Sequence, residues 1–241
     1  SEMCIRDRSV TKGNLPFIPR LEKQMTMAAP TDQRLSAALK DQTATAHSSA
    51  ENSPFMSRLG KGELDRAAVA ELTVQYFHIY SALEDAVRRA ASHPAVAQIA
   101  DERLERVPAL EADLTAMLGA GWKETTAPLD ATRRYVAELE ALTPDSGPEV
   151  IAHHYVRYLG DIAGGQVLAR VFQNAYALPD EALHFYDFSA VGKIPHYRAH
   201  YKAALDAMQL DDEERARIIS TAQHVSVSYT HLRAHETLRY L

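Results

Sequence analysis

Apolar residues recur at three- and four-residue steps along most of this chain, and this spacing constrains the fold more than any other feature. The longest example runs between residues 151 and 172. Its apolar face is formed by Ile151, Tyr155, Tyr158, Leu159, Ile162, Val167, Leu168, Val171 and Phe172. This period indicates an amphipathic helix, whereas no stretch shows the two-residue alternation of a half-buried strand. The sequence therefore predicts an all-α fold.

The same period predicts further helices along the chain. They are expected over 35–47, 55–59, 64–87, 135–142, 195–208 and 211–225, with one or two more over 96–118. Between them we expect a connection that carries Trp122 and, before the last two helices, an aromatic connector over 185–188.

Composition limits the classes of protein to which this chain can belong. Its 241 residues, 46% hydrophobic and 24% charged, suit one globular domain with tails. A net charge of -6 gives no basic surface for nucleic acid, and the single cysteine, Cys4, excludes a disulfide framework and a thiolate metal cage. No apolar run approaches the ~18 residues of a membrane span, and no signal peptide or membrane anchor is visible. We therefore expect a cytoplasmic monomer.

The two ends of the chain differ from its helical middle. Residues 1–30 lack periodicity and are predicted to be a disordered extension, with Met25 or Met27 as a natural start. The first eight residues and the segment 226–241 resemble translated sequencing-adapter DNA. We interpret the second segment as a non-native tail that replaces the end of the last helix. The domain itself is assigned to residues 31–225.

Three glycines interrupt the long helix. Gly160, Gly164 and Gly165 lie in its interior, where each costs about 1 kcal/mol relative to alanine. Gly160 and Gly164 are four residues apart and share a face, with Gly165 beside them. Glycines alone favour close helix packing or a bend. Asp161 within the gap and Arg157 one turn before it instead indicate a binding wall of bare backbone with one polar group.

Histidine is the best candidate for a metal ligand in this chain, although eleven histidines cannot be interpreted singly. If residues 47–51 are helical, His47 and Glu51 share a face, and the carboxylate can fix the ring tautomer and leave the other nitrogen for a metal. Alone, the pair also fits a helix cap or the edge of the core. The Glu-x-x-His from Glu181 to His184 lacks the second motif that a di-iron bundle requires.

Three motifs, in this order and spacing, resemble the haem oxygenase family. They are Ala46-His-Ser-Ser-Ala-Glu-Asn52, Tyr76-Phe-His-Ile-Tyr-Ser-Ala-Leu-Glu84 and Tyr155-Val-Arg-Tyr-Leu-Gly-Asp-Ile-Ala-Gly-Gly-Gln166, and the resemblance covers about residues 35–222. It implies one helical domain that holds haem b (iron protoporphyrin IX) between a proximal and a kinked distal helix. Haem would be cofactor and substrate, cleaved with dioxygen to biliverdin, carbon monoxide and ferrous iron. The electrons would come from a ferredoxin or a reductase.

The resemblance also implies roles for particular residues. His47 matches the iron ligand and Glu51 the residue that orients it. The distal wall matches Gly160, Gly164 and Gly165. The distal water network matches Asp161, Arg157 and Tyr80. Positions along that side or the haem edge match Tyr155 and Tyr135. The basic residues that hold the haem propionates match Lys40, Arg198 and Lys202, although plain solvated charge explains Lys40 almost equally well.

Two other functions stay open on these residues. A haem carrier that does not degrade haem would keep His47 but would need no acid at position 161. A cofactor-free helical hydrolase, such as a thiaminase-like enzyme, would need a cysteine or carboxylate nucleophile in the bundle, and Cys4 lies in the N-terminal extension. A glycine wall with water held by Asp161 favours the oxygenase.

Overall fold

The computed structural model describes residues 33–235, apart from the side chains of residues 51 and 229–235. The predicted extension over 1–30 with Cys4, and the last residues of the predicted tail, 236–241, lie outside the described residues. Within them the chain is helical and contains no strand, so the predicted all-α fold is confirmed. The helices are α1 Leu35–Glu51, α2 Pro54–Gly60, α3 Arg66–Arg89, α4 Val107–Leu118, α5 Trp122–Thr125, α6 Asp130–Glu140, α7 Gly147–Tyr176, α8 Ile194–Ala207 and α9 Asp212–His235.

Local chemistry fixes where several of these helices begin and end. The Ser53 side chain accepts a hydrogen bond from the Met56 N–H at the start of α2, and Asp65 accepts one from the Ala68 N–H at 2.9 Å at the start of α3. The first residue of α3, Arg66, donates to the backbone oxygens of Tyr176 and Ala177. The end of α7, whose last carbonyls lack partners within the helix, is thereby tied to α3.

The core forms where the amphipathic faces meet. α9 packs along both α1 and α7, and α3 packs against α4, α6 and α7. The fully buried apolar residues of α9 are Ile218, Ala222 and Val225. A satellite cluster of Val74, Leu114 and Trp122 joins α3, α4 and α5. Because α9 lies against α1 and α7 together, it fixes how those two helices face each other.

Three details differ from the helices expected from the sequence. The segment 96–118 contains two short 3-10 turns before α4 rather than a second α-helix, and the connection with Trp122 is itself a short helix, α5. The last helix continues ten residues beyond its expected end at 225. There Ser226 is buried, and its hydroxyl donates to the Ala222 backbone oxygen at 2.8 Å. This hydrogen bond within the helix lets a polar residue occupy a buried position, which interrupts the apolar period in the sequence.

Candidate functional site

The glycines of α7 do not all serve the same face. A β-carbon added to Gly160 or Gly164 would meet no atom within 4 Å beyond the helix itself, so both open onto free space. Gly165 is buried, and a β-carbon there would lie 3.2 Å from Tyr186 Cδ1 and 3.9 Å from Phe188 Cε2. The expected wall is therefore bare backbone at Gly160 and Gly164, whereas Gly165 permits close packing against the connector.

A buried polar cluster lies beside this open backbone. Tyr80 of α3 donates its hydroxyl to Asp161 Oδ2, and Arg157 Nη2 lies 3.5 Å from the same oxygen. The Arg157 side chain is only 2% exposed and that of Asp161 12%. The structure thus brings together three residues predicted for the distal water network, and their ion pair is not a solvated surface pair.

The surroundings of the cluster fix its protonation and its geometry. Burial, and next the Asp161 charge, hold the pKa of Tyr80 well above its usual range, so the phenol stays a neutral donor. The Arg157 guanidinium lies 5.2 Å from the ring centres of both Tyr76 and Tyr80. Such contacts between a cation and aromatic faces compensate in part for the loss of water around the charge.

The predicted iron ligand lies on α1, which packs on α9 as α7 does. His47 is exposed and lies within α1 together with Glu51, four residues later, so the helix that their proposed pairing requires is present. One turn earlier on α1, buried Thr43 lies close enough to Tyr155 of α7 to oppose the rise of the pKa that burial gives that phenol. His47 lies about one helical turn after Thr43 on α1, and Gly160 lies about one turn after Tyr155 on α7. Tyr155 therefore joins the two helices that carry the predicted ligand and the predicted wall.

The three predicted propionate residues lie at the junction of α1 with α8. Lys40 and Lys202 line one surface cavity of about 360 Å³. Arg198 lies one turn before Lys202, close enough to Tyr155 for its charge to oppose the rise of the pKa that burial gives that phenol. Within the described residues, Arg198 Nε is buried without a hydrogen-bond partner. A buried guanidinium nitrogen in this state fits an anionic ligand.

Tyr135 and two histidines are held in the core. The Tyr135 hydroxyl lies 2.9 Å from His153 Nδ1, and the Tyr201 hydroxyl lies 2.7 Å from His154 Nδ1. Burial lowers the pKa of His153 and of His154 to about 3, so both rings stay neutral. Unlike exposed His47, these histidines are enclosed by protein, and Tyr135 is held by His153.

Two buried carboxylates were not singled out from the sequence. Asp113 of α4 is fully buried and binds the backbone of the connector between α7 and α8, and Glu84 of α3 accepts the backbone N–H of Arg106 at 2.5 Å. Their partners lie 71 and 22 residues away along the chain. No periodicity signals such pairs. Their only mark in the sequence is a charged residue on an otherwise apolar face.

An open glycine wall on α7, an exposed histidine on α1 and a half-buried arginine on α8 fit a flat, anionic, metal-containing ligand. The fold and this set of groups define a helical haem-binding protein. Comparison with known proteins is more specific, because the family model described as Heme oxygenase matches residues 33–234. The chain belongs to the haem oxygenase family.

Relatives and solved structures agree with this assignment. The chain is 34% identical to heme oxygenase 1 of Gallus gallus over 199 residues, which are 81% of this chain and 67% of the relative. It is 32% identical to heme oxygenase 1 of a Nostoc species, covering 78% and 79%. The structure of Synechocystis heme oxygenase-1 in complex with heme matches with a TM-score of 0.80 at 28% identity, covering 84% of this chain and 92% of that one.

These findings decide between the functions left open by the sequence. The predicted family, a haem oxygenase activity, and haem as cofactor and substrate are confirmed. The haem carrier and the thiaminase-like hydrolase are set aside. Among the described residues, no helix is long and apolar enough to cross a membrane. The roles of individual residues and the division of the chain into 1–30, 31–225 and 226–241 stay predictions.

Proposed function

We propose that this enzyme holds haem between α1 and α7, with His47 as the iron ligand and the Gly160–Gly164 backbone as the opposite wall. The observation that carries this proposal is the buried Tyr80–Asp161–Arg157 cluster beside those two open glycines. A site that only stored haem would have no use for a buried carboxylate at the wall. Here the carboxylate is fixed by two partners.

Bound haem supplies a redox-active iron and the porphyrin ring that is cleaved. Asp161 supplies the proton path. Tyr80 and Arg157 both reach Asp161 Oδ2, and this leaves Oδ1 to accept a hydrogen bond from water on the open side of the helix. A carboxylate held in this way orders water and passes protons towards the reacting atoms without itself contacting the ring. Gly160 and Gly164 have no side chain that would displace that water.

Orientation of the ligand and of the ring falls to other residues. Glu51, whose side chain lies outside the described residues, is kept as the residue expected to orient His47 towards a bound metal. Lys40, Arg198 and Lys202 would hold the two propionates, and Arg198 would bind most strongly of the three because its Nε is buried. Lys40 is exposed and contributes least. Tyr155, which is close to both Thr43 and Arg198, would line the haem edge.

The reaction also needs dioxygen and an electron donor, and we infer a donor of the ferredoxin or reductase type that works with the enzyme in the cytoplasm. We infer a monomer as well. Among the described residues the large apolar side chains that are exposed are few and scattered, Leu118, Val167 and Val227. Such an arrangement does not form an apolar patch of the size that stable dimers bury. Light scattering at rising protein concentration tests this state.

Haemin titration followed by reduction tests the proposed ligand. Wild-type protein should give the spectrum of histidine-ligated ferric haem and, with ascorbate and oxygen, that of biliverdin. His47→Ala should lose that ligation and turnover, and added imidazole should restore the spectrum in part, because it places a free ring where the side chain was. His196→Ala, an exposed histidine on α8, is the matched control. An unchanged spectrum in His47→Ala would assign the iron to another histidine.

A further inference from the structure

The buried carboxylate of Asp113 lies outside the site described above but holds the segment that supports it. Asp113 Oδ1 accepts the backbone N–H of His184 at 2.7 Å and lies 2.9 Å from His184 Nδ1. Its Oδ2 accepts the backbone N–H of Phe185 at 2.8 Å. The Asp113 side chain is wholly inaccessible. One carboxylate of α4 thus fixes two successive residues between α7 and α8. From here on the connector is residues 183–188, which include the aromatic stretch predicted over 185–188.

The first of the connector's rings lies against the distal tyrosine. Phe185 is buried, and its ring centre is 5.3 Å from that of Tyr80 in an edge-to-face arrangement and 5.1 Å from that of Tyr76. The Tyr80 ring carries the hydroxyl that donates to Asp161. Phe185 therefore limits how far Tyr80 can withdraw from the carboxylate.

The second ring lies against the glycine helix. Tyr186 packs on Phe172 of α7 with ring centres 5.6 Å apart, and it covers the backbone at Gly165. The glycine lets the connector lie closer to α7 than any other residue would allow. Two sides of the distal site, Tyr80 and α7, are thus both in contact with a segment that Asp113 anchors.

We propose that Asp113 is a positioning residue for the distal site: by binding the amides of His184 and Phe185 it seats the connector, which in turn holds Tyr80 and α7 at the spacing that the Tyr80–Asp161 hydrogen bond requires. This rests on the proposed function of Asp161. Hydrogen bonds weaken steeply as their geometry departs from linear, so a small shift of the Tyr80 ring alters how Asp161 holds water. Asp113 acts without contacting haem.

The exposed His184 ring is not needed for this role. It is half exposed, whereas the two amides are the groups that would be left without an acceptor if Asp113 changed. His184→Ala should therefore leave the site unchanged. Asp113→Asn keeps the shape of the side chain but offers one acceptor oxygen, and its amide NH2 then faces one of the two N–H groups.

The test compares Asp113→Asn with wild type in three measurements. In haem-free protein, amide hydrogen exchange at residues 184–186 should be about tenfold faster, the factor expected for loss of one net hydrogen bond. In the ferric haem complex, the absorption spectrum is recorded as a function of pH. The pH at which the spectrum is half changed should move by about half a pH unit or more. Biliverdin formation should fall several-fold, while haem affinity stays within about twofold of wild type.

Leu114→Ala is the matched control for lost stability, since Leu114 is the next residue of α4 but packs in the satellite cluster with Val74 and Trp122. It should lower the melting temperature and leave the pH midpoint and turnover unchanged. Equal effects of Leu114→Ala and Asp113→Asn on the midpoint would overturn the proposal. So would faster exchange in Asp113→Asn with a wild-type midpoint and turnover.

A second variant keeps the test decisive if Asp113→Asn does not fold. Phe185→Leu removes the ring that limits Tyr80 and leaves the hydrogen bonds of Asp113 in place. It should move the pH midpoint as Asp113→Asn does, and a wild-type midpoint would contradict the proposal. Failure of the proposed function of Asp161 is distinct, because then Asp161→Ala would itself form biliverdin at the wild-type rate.

Discussion

At the scale of single residues, burial distinguishes groups that look alike in the sequence. Arg157 and Asp161 have the spacing of an ordinary surface pair on a helix, worth about 0.3–0.5 kcal/mol. In the fold both are largely buried, and Tyr80 donates to the same carboxylate oxygen. Removing one partner of such a pair leaves the other charge buried and costs several times more. The pair is thus part of the buried polar cluster and not an exposed ion pair on the helix surface.

The two kinds of glycine in α7 should respond in opposite ways to added side chains. Gly164→Leu should leave the helix at least as stable, since leucine is the better helix former by up to ~1 kcal/mol, but should abolish haem binding by filling the open space. Gly165→Ala, with its β-carbon 3.2 Å from Tyr186, should lower the melting temperature and keep haem binding. Haemin titrations and thermal melts of both variants check this. Normal haem binding by Gly164→Leu would return that glycine to a packing role.

At the scale of helices, the apolar period was enough to place most of the α-helices, and the resemblance selected the residues that are expected around the haem. Neither could give the direction in which each side chain points. Gly165 follows Gly164 by one residue, yet about 100° of helical rotation turns it to the connector. Tyr80 and Asp161 meet across 81 residues, and only the packing of α3 on α7 brings them together. Long-range hydrogen bonds of this kind carry no local signal.

Glu84 shows how a buried acid on one helix can make stability depend on pH. Its Oε1 accepts the backbone N–H groups of Arg106 and Val107 at the start of α4, at 2.5 and 3.2 Å. Burial nevertheless raises the pKa of Glu84 from 4.5 to about 7. Between these values the folded chain binds more protons at this position than the unfolded chain does. The contribution to stability is therefore full below pH 4.5 and declines as the pH rises to about 7.

Glu84→Gln should remove that decline. The amide oxygen can still accept from both N–H groups, and no charge is buried. We expect the variant to exceed wild type in free energy of unfolding by at most about 3 kcal/mol above neutral pH, with the difference vanishing in mild acid. Urea unfolding at a series of pH values measures it. Parallel pH curves for the two proteins would show that Glu84 is not the group responsible.

At the scale of the whole molecule, α9 holds the two walls of the site in register because it packs along both α1 and α7. Three of its residues in the core, Ile218, Ala222 and Val225, are apolar and fully buried. Polar side chains of α9 bind both walls as well, since Arg217 pairs with Glu149 of α7 and Gln223 donates to Gln42 of α1. The sequence predicted the start of this helix well but not its length, since Ser226 interrupts the apolar pattern while satisfying itself within the helix.

Ile218→Ala on α9 should cost ~2–5 kcal/mol of folding stability, as buried large-to-small substitutions do. Because the substitution would leave a cavity in the core where α9 packs, and α9 supports α1 and α7, haem affinity should fall together with stability. Ile219→Ala, at a partly buried neighbouring position, is the control and should have a smaller effect on both quantities. Thermal melts with and without haemin measure stability and binding together. If Ile218→Ala lost stability as predicted but kept the haem affinity of wild type, α9 would have no influence on the site.

The turnover of Asp161→Ala tests the central claim most directly. Removing this carboxylate should leave haem bound through His47, shown by the ferric spectrum, and should yield little or no biliverdin with ascorbate and oxygen, because the ordered water that delivers protons is lost. Asp85→Ala, which removes an exposed aspartate from an ion pair on α3, should behave as wild type. Biliverdin formed by Asp161→Ala at the wild-type rate would contradict the account.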